Sequence, residues 1–193
     1  MNPNSPSWFY EYAKVVAEHF SDRVKNFFTI NEPQCIVGLG YQTGEHAPGL
    51  KVGPSDYFRI WHNVLKAHGR AVEALREFSK QPVKISMAPC GALYVPETNK
   101  PEDIEAARKA NFSLPENSIG ACSWDVALCC DPVYLGQYPE DILKEFGGRV
   151  PQGKVFVCIS TIRTSTGIAR CSVGTHRTWN GTAESEGRLE QLL

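Results

Sequence analysis

A chain of 193 residues with 20 Lys and Arg against 21 Asp and Glu, a net charge of −1, has no surplus of positive charge with which to grip nucleic acid or an anionic membrane surface. Its 42% hydrophobic and 21% charged residues are the usage of an ordinary globular protein, which excludes wholesale disorder. No apolar run approaches the roughly 18 residues of a membrane-spanning helix, and Met1-Asn2-Pro3-Asn4-Ser5-Pro6 lacks the basic and apolar parts of a secretory leader, so a cytoplasmic protein is expected.

Pro6 suits the first position of a helix and Ser5 its cap. Phe9, Tyr12, Ala13, Val16 and Phe20 then recur at helical spacing, which predicts a helix over 6–21 with one apolar face. Val24-Lys25-Asn26-Phe27-Phe28-Thr29-Ile30 is rich in aromatic and β-branched residues, too short for a helix and apolar on both sides near its end, as a strand of a buried parallel sheet is. Pro33 stops it. Five glycines and two prolines between Gly38 and Pro54 predict a long loop. Phe58, Trp61, Leu65, His68, Val72 and Leu75, spaced by alternating threes and fours, predict an amphipathic helix over 55–79. Val83 to Ala88 alternates like a strand, and Pro101 opens a helix running from Glu102 to about Ala110. Asp131 to Gly136 reads as a loop leading into a short helix, Pro139 to Phe146, closed by Gly147-Gly148. Val155 to Ile159 suits a strand, whereas 163–193, dominated by Ser, Thr, Arg and Gly, shows no period that demands regular structure. Helix, strand, helix, strand, helix in that order implies parallel α/β units, and there is no internal repeat.

The seven cysteines, at 35, 90, 122, 129, 130, 158 and 171, are odd in number and irregular in spacing. Without a C-x-x-C pair, and with Cys129 and Cys130 too close for an ordinary bridge, they read as reduced thiols without metal.

One short run carries chemistry: Phe28-Thr29-Ile30-Asn31-Glu32-Pro33. It sets an Asn and a Glu where a hydrophobic parallel strand ends, and the carboxyl ends of strands are where α/β folds hold ligands and catalysis. A carboxylic acid there, walled by Phe, Trp and Tyr, loses hydration, which favours its protonated form and suits proton delivery to a leaving oxygen. Asn offers a donor and an acceptor to a sugar hydroxyl. His68, on the apolar stripe of its helix, reads as a core histidine, and His46 as a residue shaping its turn.

Around that run the chain resembles glycoside hydrolase family 1, the β-glucosidase family. Trp8-Phe9-x-x-Tyr12-Ala13, Asp22-Arg23-Val24-Lys25 and Thr29-x-Asn31-Glu32-Pro33 lead into Gly40-Tyr41-x-x-Gly44-x-His46-Ala47-Pro48-Gly49. His62-Asn63-x-x-x-Ala67-His68-x-Arg70-Ala71-Val72 and Asp131-Pro132-Val133-Tyr134-Leu135-Gly136-x-Tyr138-Pro139 follow in the family's order. The resemblance implies a retaining β-glycosidase on a (β/α)8 barrel, acting on a small-molecule β-glycoside and needing no metal or organic cofactor. By the N-E-P match Glu32 is the expected general acid and base, and Asn31 the partner of the sugar's 2-hydroxyl. Trp124, ahead of Asp131-Pro132, falls where the aglycone side is lined, with plain packing its alternative.

A barrel of this kind runs to about 250 residues, so the expected fold is a partial (β/α)8 barrel with two or three of the eight units. Residues 1–152 form its expected central segment, with a divergent tail over 153–193, which a slip of reading frame would produce. The family's nucleophile lies in an [IV]-T-E-N-G setting. Pro96-Glu97-Thr98-Asn99 has the wrong order, and Thr182-Ala183-Glu184-Ser185 lacks the Asn-Gly. The chain alone is therefore expected to be inactive, and its uncovered strand edges to favour self-association. A 6-phospho-β-glycosidase, a non-catalytic sugar-binding or vestigial chain, and an unrelated α/β enzyme stand as the alternatives.

Overall fold

In the computed structural model the described residues are 2–91, 94–112 and 124–151, with the backbone of 162–164 and 167–169. In chain order they form α1 (Ser5–Phe20), β1 (Asn26–Asn31), a π-helical segment (Cys35–Thr43), α2 (Pro54–Phe78), β2 (Lys84–Ala88), α3 (Pro101–Phe112), α4 (Val126–Tyr134), α5 (Glu140–Phe146), one 3-10 turn (Gly147–Arg149), β3 (Ile162–Thr164) and β4 (Gly167–Ala169).

The framework rests on α2. Its spacing turns one face inward, and all six predicted face residues, Phe58, Trp61, Leu65, His68, Val72 and Leu75, are buried. The helix itself lies in the crossover between β1 and β2, which pair in parallel as Asn26 with Lys84, Phe27 with Ile85, Phe28 with Ser86 and, after a slip, Asn31 with Ala88. The main core gathers Ile30 of β1, Met87 of β2 and Trp61 and Leu65 of α2 with Leu128 and Val133 of α4 and Ile142 of α5. A second, smaller core joins Ala13 and Ala17 of α1 to Ala71, Ala74 and Leu75. The buried Ser21 fixes the end of α1 against the approach to β2: its Oγ accepts from the Lys80 N–H at 2.8 Å and its carbonyl from Gln81 Nε2 at 2.6 Å.

The structure departs from the sequence expectations at four places. The buried side of α1 is centred on Ala13 and Ala17, while Tyr12 and Phe20 remain exposed. Two alanines let α1 approach α2 closely, and no described element covers the opposite side of the helix. The glycine-rich loop over 38–54 begins instead inside the π-helical segment. The following turn lies directly on that segment, so that a Cβ on Gly40 would come within 2.7 Å of the Ala47 carbonyl oxygen. The carbonyls of Leu39, Gly40 and Tyr41 accept from the N–H groups of His46, Leu50 and Val52 at 3.0, 3.1 and 2.9 Å, satisfying groups that a widened helix leaves unpaired.

Asp131 to Tyr134, expected as a loop, belong to α4. Asp125 caps that helix by accepting the Ala127 N–H at 2.7 Å, and burial of Leu128, Cys129, Pro132 and Val133 outweighs the break that an internal proline imposes. Finally, β3 and β4 form a short antiparallel pair within the stretch for which no regular structure was expected. The expected strand over 155–159, the rest of the tail over 153–193, and Cys122, Cys158 and Cys171 lie outside the described residues.

β1 and β2 make up a two-stranded sheet with no further described strand on either outer edge. Phe28, on the face turned away from α2, is 70% exposed. No helix among the described residues is long and apolar enough to cross a membrane.

Candidate active site

β1 delivers Asn31 and Glu32 to the carboxyl end of the sheet, where the sequence motif predicts them. The Glu32 N–H donates to the Ala88 carbonyl at 2.8 Å, a last ladder bond that carries the parallel register one residue past the strand. The backbone then turns sharply. Glu32 sits at φ 43°, a left-handed conformation that a non-glycine residue adopts at a cost of about 1–2 kcal/mol. Its carbonyl accepts from the N–H of Cys35 at 2.9 Å and of Ile36 at 3.4 Å, so this one strained residue converts strand into helix. It also aims its side chain out of the sheet.

An open cleft of about 490 Å³ lies there, lined by Asn31, Glu32, Cys35, Ile36, His46 and Ala47. The Cys35 thiol donates to Glu32 Oε2 at 3.3 Å. Burial, reinforced by that hydrogen bond, pushes the Cys35 thiol up to about 11, so at neutral pH it stays protonated and remains a donor to the carboxylate. Glu32 itself is exposed. The aromatic wall expected around it is not formed by the described residues, since thiol, aliphatic and imidazole groups line the cleft instead. The reason is local: Phe27 and Phe28 lie earlier on the strand than Asn31, only the end of the strand reaches the cleft, and Trp61 and Tyr57 are turned into the core. No second carboxylate lines the cleft among the described residues.

Behind Glu32, Gln34 is fully buried and holds the two strand ends together. Its Nε2 donates to the Cys90 carbonyl at 2.5 Å while its Oε1 accepts from the Cys90 N–H at 3.3 Å, and Nε2 also lies 3.5 Å from Cys129 Sγ. This clamp sets Cys90 beside Cys35 and Glu32, with one ligating atom of each within 4.8 Å of the others. Trp124 is placed next to the same strand end, its carbonyl oxygen 3.6 Å from where a Cβ on Gly91 would sit. Its side chain is largely exposed and is not among the residues lining the cleft.

The histidines divide as their sequence settings predict. His68 is buried and pairs through Nδ1 with Thr29 Oγ1 at 2.6 Å; burial, with Arg76 nearby, lowers its pKa to about 4. His62 Nδ1 lies 3.1 Å from the Tyr138 hydroxyl; burial lowers the imidazole and raises the phenol, so both stay neutral. His46 shapes its turn as expected, its carbonyl accepting the Gly49 N–H at 2.7 Å, and also reaches the cleft wall. Gln34, Cys35 and Cys90 went unrecognised in the sequence. Cys35, three residues after Glu32 in a helical segment, carries a readable spacing signal. Cys90 carries none, because only the pairing of Asn31 with Ala88 brings it near.

The family model for glycosyl hydrolase family 1 matches residues 2–161. Over 145 residues the chain is 39% identical to beta-glucosidase A of Thermotoga maritima, covering 74% of this chain and 29% of that protein. It is 36% identical over 145 residues to a 1,4-beta-D-glucan glucohydrolase of Thermotoga neapolitana, covering 74% of this chain and 31% of the relative. Among solved structures, the family 1 β-glucosidase from Thermotoga maritima superposes with a TM-score of 0.61 at 35% identity, covering 79% of this chain and 31% of that one. The same enzyme in complex with glucoimidazole gives 0.61 over 78% of this chain. The chain thus spans under a third of the length of these relatives.

Proposed function

The chain belongs to glycosyl hydrolase family 1, its fold part of that family's (β/α)8 barrel, and from that premise we propose that it is a segment of a retaining β-glycosidase in which Glu32 handles the proton. The observation that supports this is the position of Glu32: past the carboxyl end of a parallel strand, at an open cleft, with Asn31 beside it. In the retaining reaction a carboxylic acid protonates the departing glycosidic oxygen, and the resulting carboxylate then takes a proton from water as water attacks the glycosyl-enzyme. Glu32 fills both roles. The Cys35 thiol, donating to Oε2, leaves Oε1 as the oxygen for this proton traffic. Asn31 binds the sugar's 2-hydroxyl, a contact that strengthens as the ring gains oxocarbenium character. Trp124, exposed near the end of β2 but outside the lining of the cleft, is the residue we assign to the aglycone side.

Retention also needs a second carboxyl group roughly 5–5.5 Å from the first to attack the anomeric carbon. The cleft offers Glu32 alone among the described residues, so the chain by itself binds a small β-glycoside without turning it over. A second reading, a non-catalytic sugar-binding chain, rests on the same observation. Release of nitrophenol from an aryl β-glucoside, with Glu32→Gln in parallel, separates the parts of this account. No release by either protein is expected. Release that disappears in the variant would overturn the missing nucleophile, and release that survives it would overturn the role of Glu32.

A further inference from the structure

We propose that Glu32, Cys35 and Cys90 form a binding site for one thiophilic divalent cation of the zinc class. Their ligating atoms, a carboxylate oxygen and two sulfurs, all lie within 4.8 Å of one another, the two cysteines half-buried and Glu32 exposed. Two sulfurs and one oxygen are a donor set for zinc or cadmium, because calcium and magnesium take oxygen ligands almost exclusively. Three protein ligands with the fourth position open is the arrangement in which zinc keeps a water or an exchangeable ligand. Two of the three, Glu32 and Cys35, line the open cleft, whose volume of about 490 Å³ leaves room for one.

The scaffold around the three residues is suited to holding such a site. Cys35 is fixed by its N–H to the Glu32 carbonyl at 2.9 Å, so the first two ligands share one tight turn. Cys90 lies just past the end of the other strand, yet Gln34 grips both its N–H and its carbonyl. Supports of this kind, one step behind the ligands, are what orient metal ligands in proteins. Binding displaces two protons, one from each thiol, to solvent: the Cys35 proton that now goes to Glu32 Oε2 leaves, and the two thiolates and one carboxylate face the dication directly. The site stands on donor geometry and exists whether or not Glu32 serves glycoside hydrolysis. If it does, cation and glycoside exclude one another, because both need the same carboxylate.

The test uses the full chain, reduced with a phosphine, and zinc as the probe. One equivalent of zinc is expected to bind, and zinc-edge X-ray absorption of the wild-type complex is expected to give two sulfur neighbours at about 2.3 Å with the remaining neighbours oxygen or nitrogen at about 2.0–2.1 Å. Cys35→Ser and Cys90→Ser are each expected to weaken binding at least about tenfold, no less than the loss of an outer-shell support costs. Glu32→Gln is expected to weaken it while keeping two sulfurs, and Cys130→Ser to leave it unchanged. Absence of stoichiometric binding, a sulfur count other than two, or binding that survives the Cys35→Ser, Cys90→Ser double variant would each overturn the proposal. The absorption measurement needs no variant, so a variant that fails to fold does not shield the proposal.

Discussion

Along α2 the side chains that face the sheet are sealed from water, Trp61 and Leu65 completely, whereas a short distance away at the end of β1 Asn31 and Glu32 stand open to it. The difference extends to the backbone. α2 runs for 25 residues in ordinary helical geometry, while the strand end holds Glu32 at positive φ and passes straight into a widened helix. One region is arranged for burial and the other accepts strain to present a carboxylate. Glycine would take this conformation without strain, so a side chain at position 32 comes at the cost of backbone strain.

The largest effect expected from breaking this contrast lies on the sealed side. Trp61→Ala should lower stability by about 3–5 kcal/mol, the cost of emptying a fully buried aromatic site, read as a shift in the denaturant midpoint. A loss below about 1 kcal/mol would mean that α2 is not the framework.

Next comes pH. His68 has a folded pKa of about 4 against an ordinary 6.5, so between those values the unfolded chain binds more protons than the folded one. Stability is therefore full above pH 6.5 and falls as the pH drops toward 4, by up to about 3 kcal/mol at the bottom of that window. Denaturation at stepped pH should show this slope, and His68→Leu should flatten it. An unchanged slope in the variant would assign it to other groups.

Gln34→Ala should cost about 1–3 kcal/mol, because it strips partners from the N–H and carbonyl of Cys90. The same variant should also reduce zinc binding without touching a ligand. The smallest effect carries the opposite sign. Glu32→Gly should raise stability by up to about 1 kcal/mol, since glycine adopts positive φ without strain. A marked loss on that substitution would contradict the claim that the strand end holds strain for the sake of its carboxylate.

The same contrast explains what the sequence disclosed. The α2 face was readable because six large residues keep one helical period against one neighbouring surface. The face of α1 was not. Hydropathy weights Tyr12 and Phe20 above Ala13 and Ala17, but a close helix contact selects small side chains. In α4 the Asp131-Pro132 pair reads locally as a helix stop, while the burial that overrides it comes from distant residues of α2 and α5. At the site, Asn31 and Glu32 were legible as a motif on a strand end. Gln34, Cys35 and Cys90 as a group were not, because that grouping is a product of strand register and a buried amide, neither of which leaves a spacing in the chain.

Calorimetric titration with glucoimidazole, the compound in complex with one of the solved neighbours, tests the central claim most directly, with Glu32→Ala as the paired protein. Saturable binding to the wild-type chain that the substitution weakens about tenfold or more, some 1.4 kcal/mol, is the predicted result. Equal affinity of the two proteins, or no binding to the wild type, would contradict the assignment of Glu32 as the proton-handling carboxyl of a glycoside site.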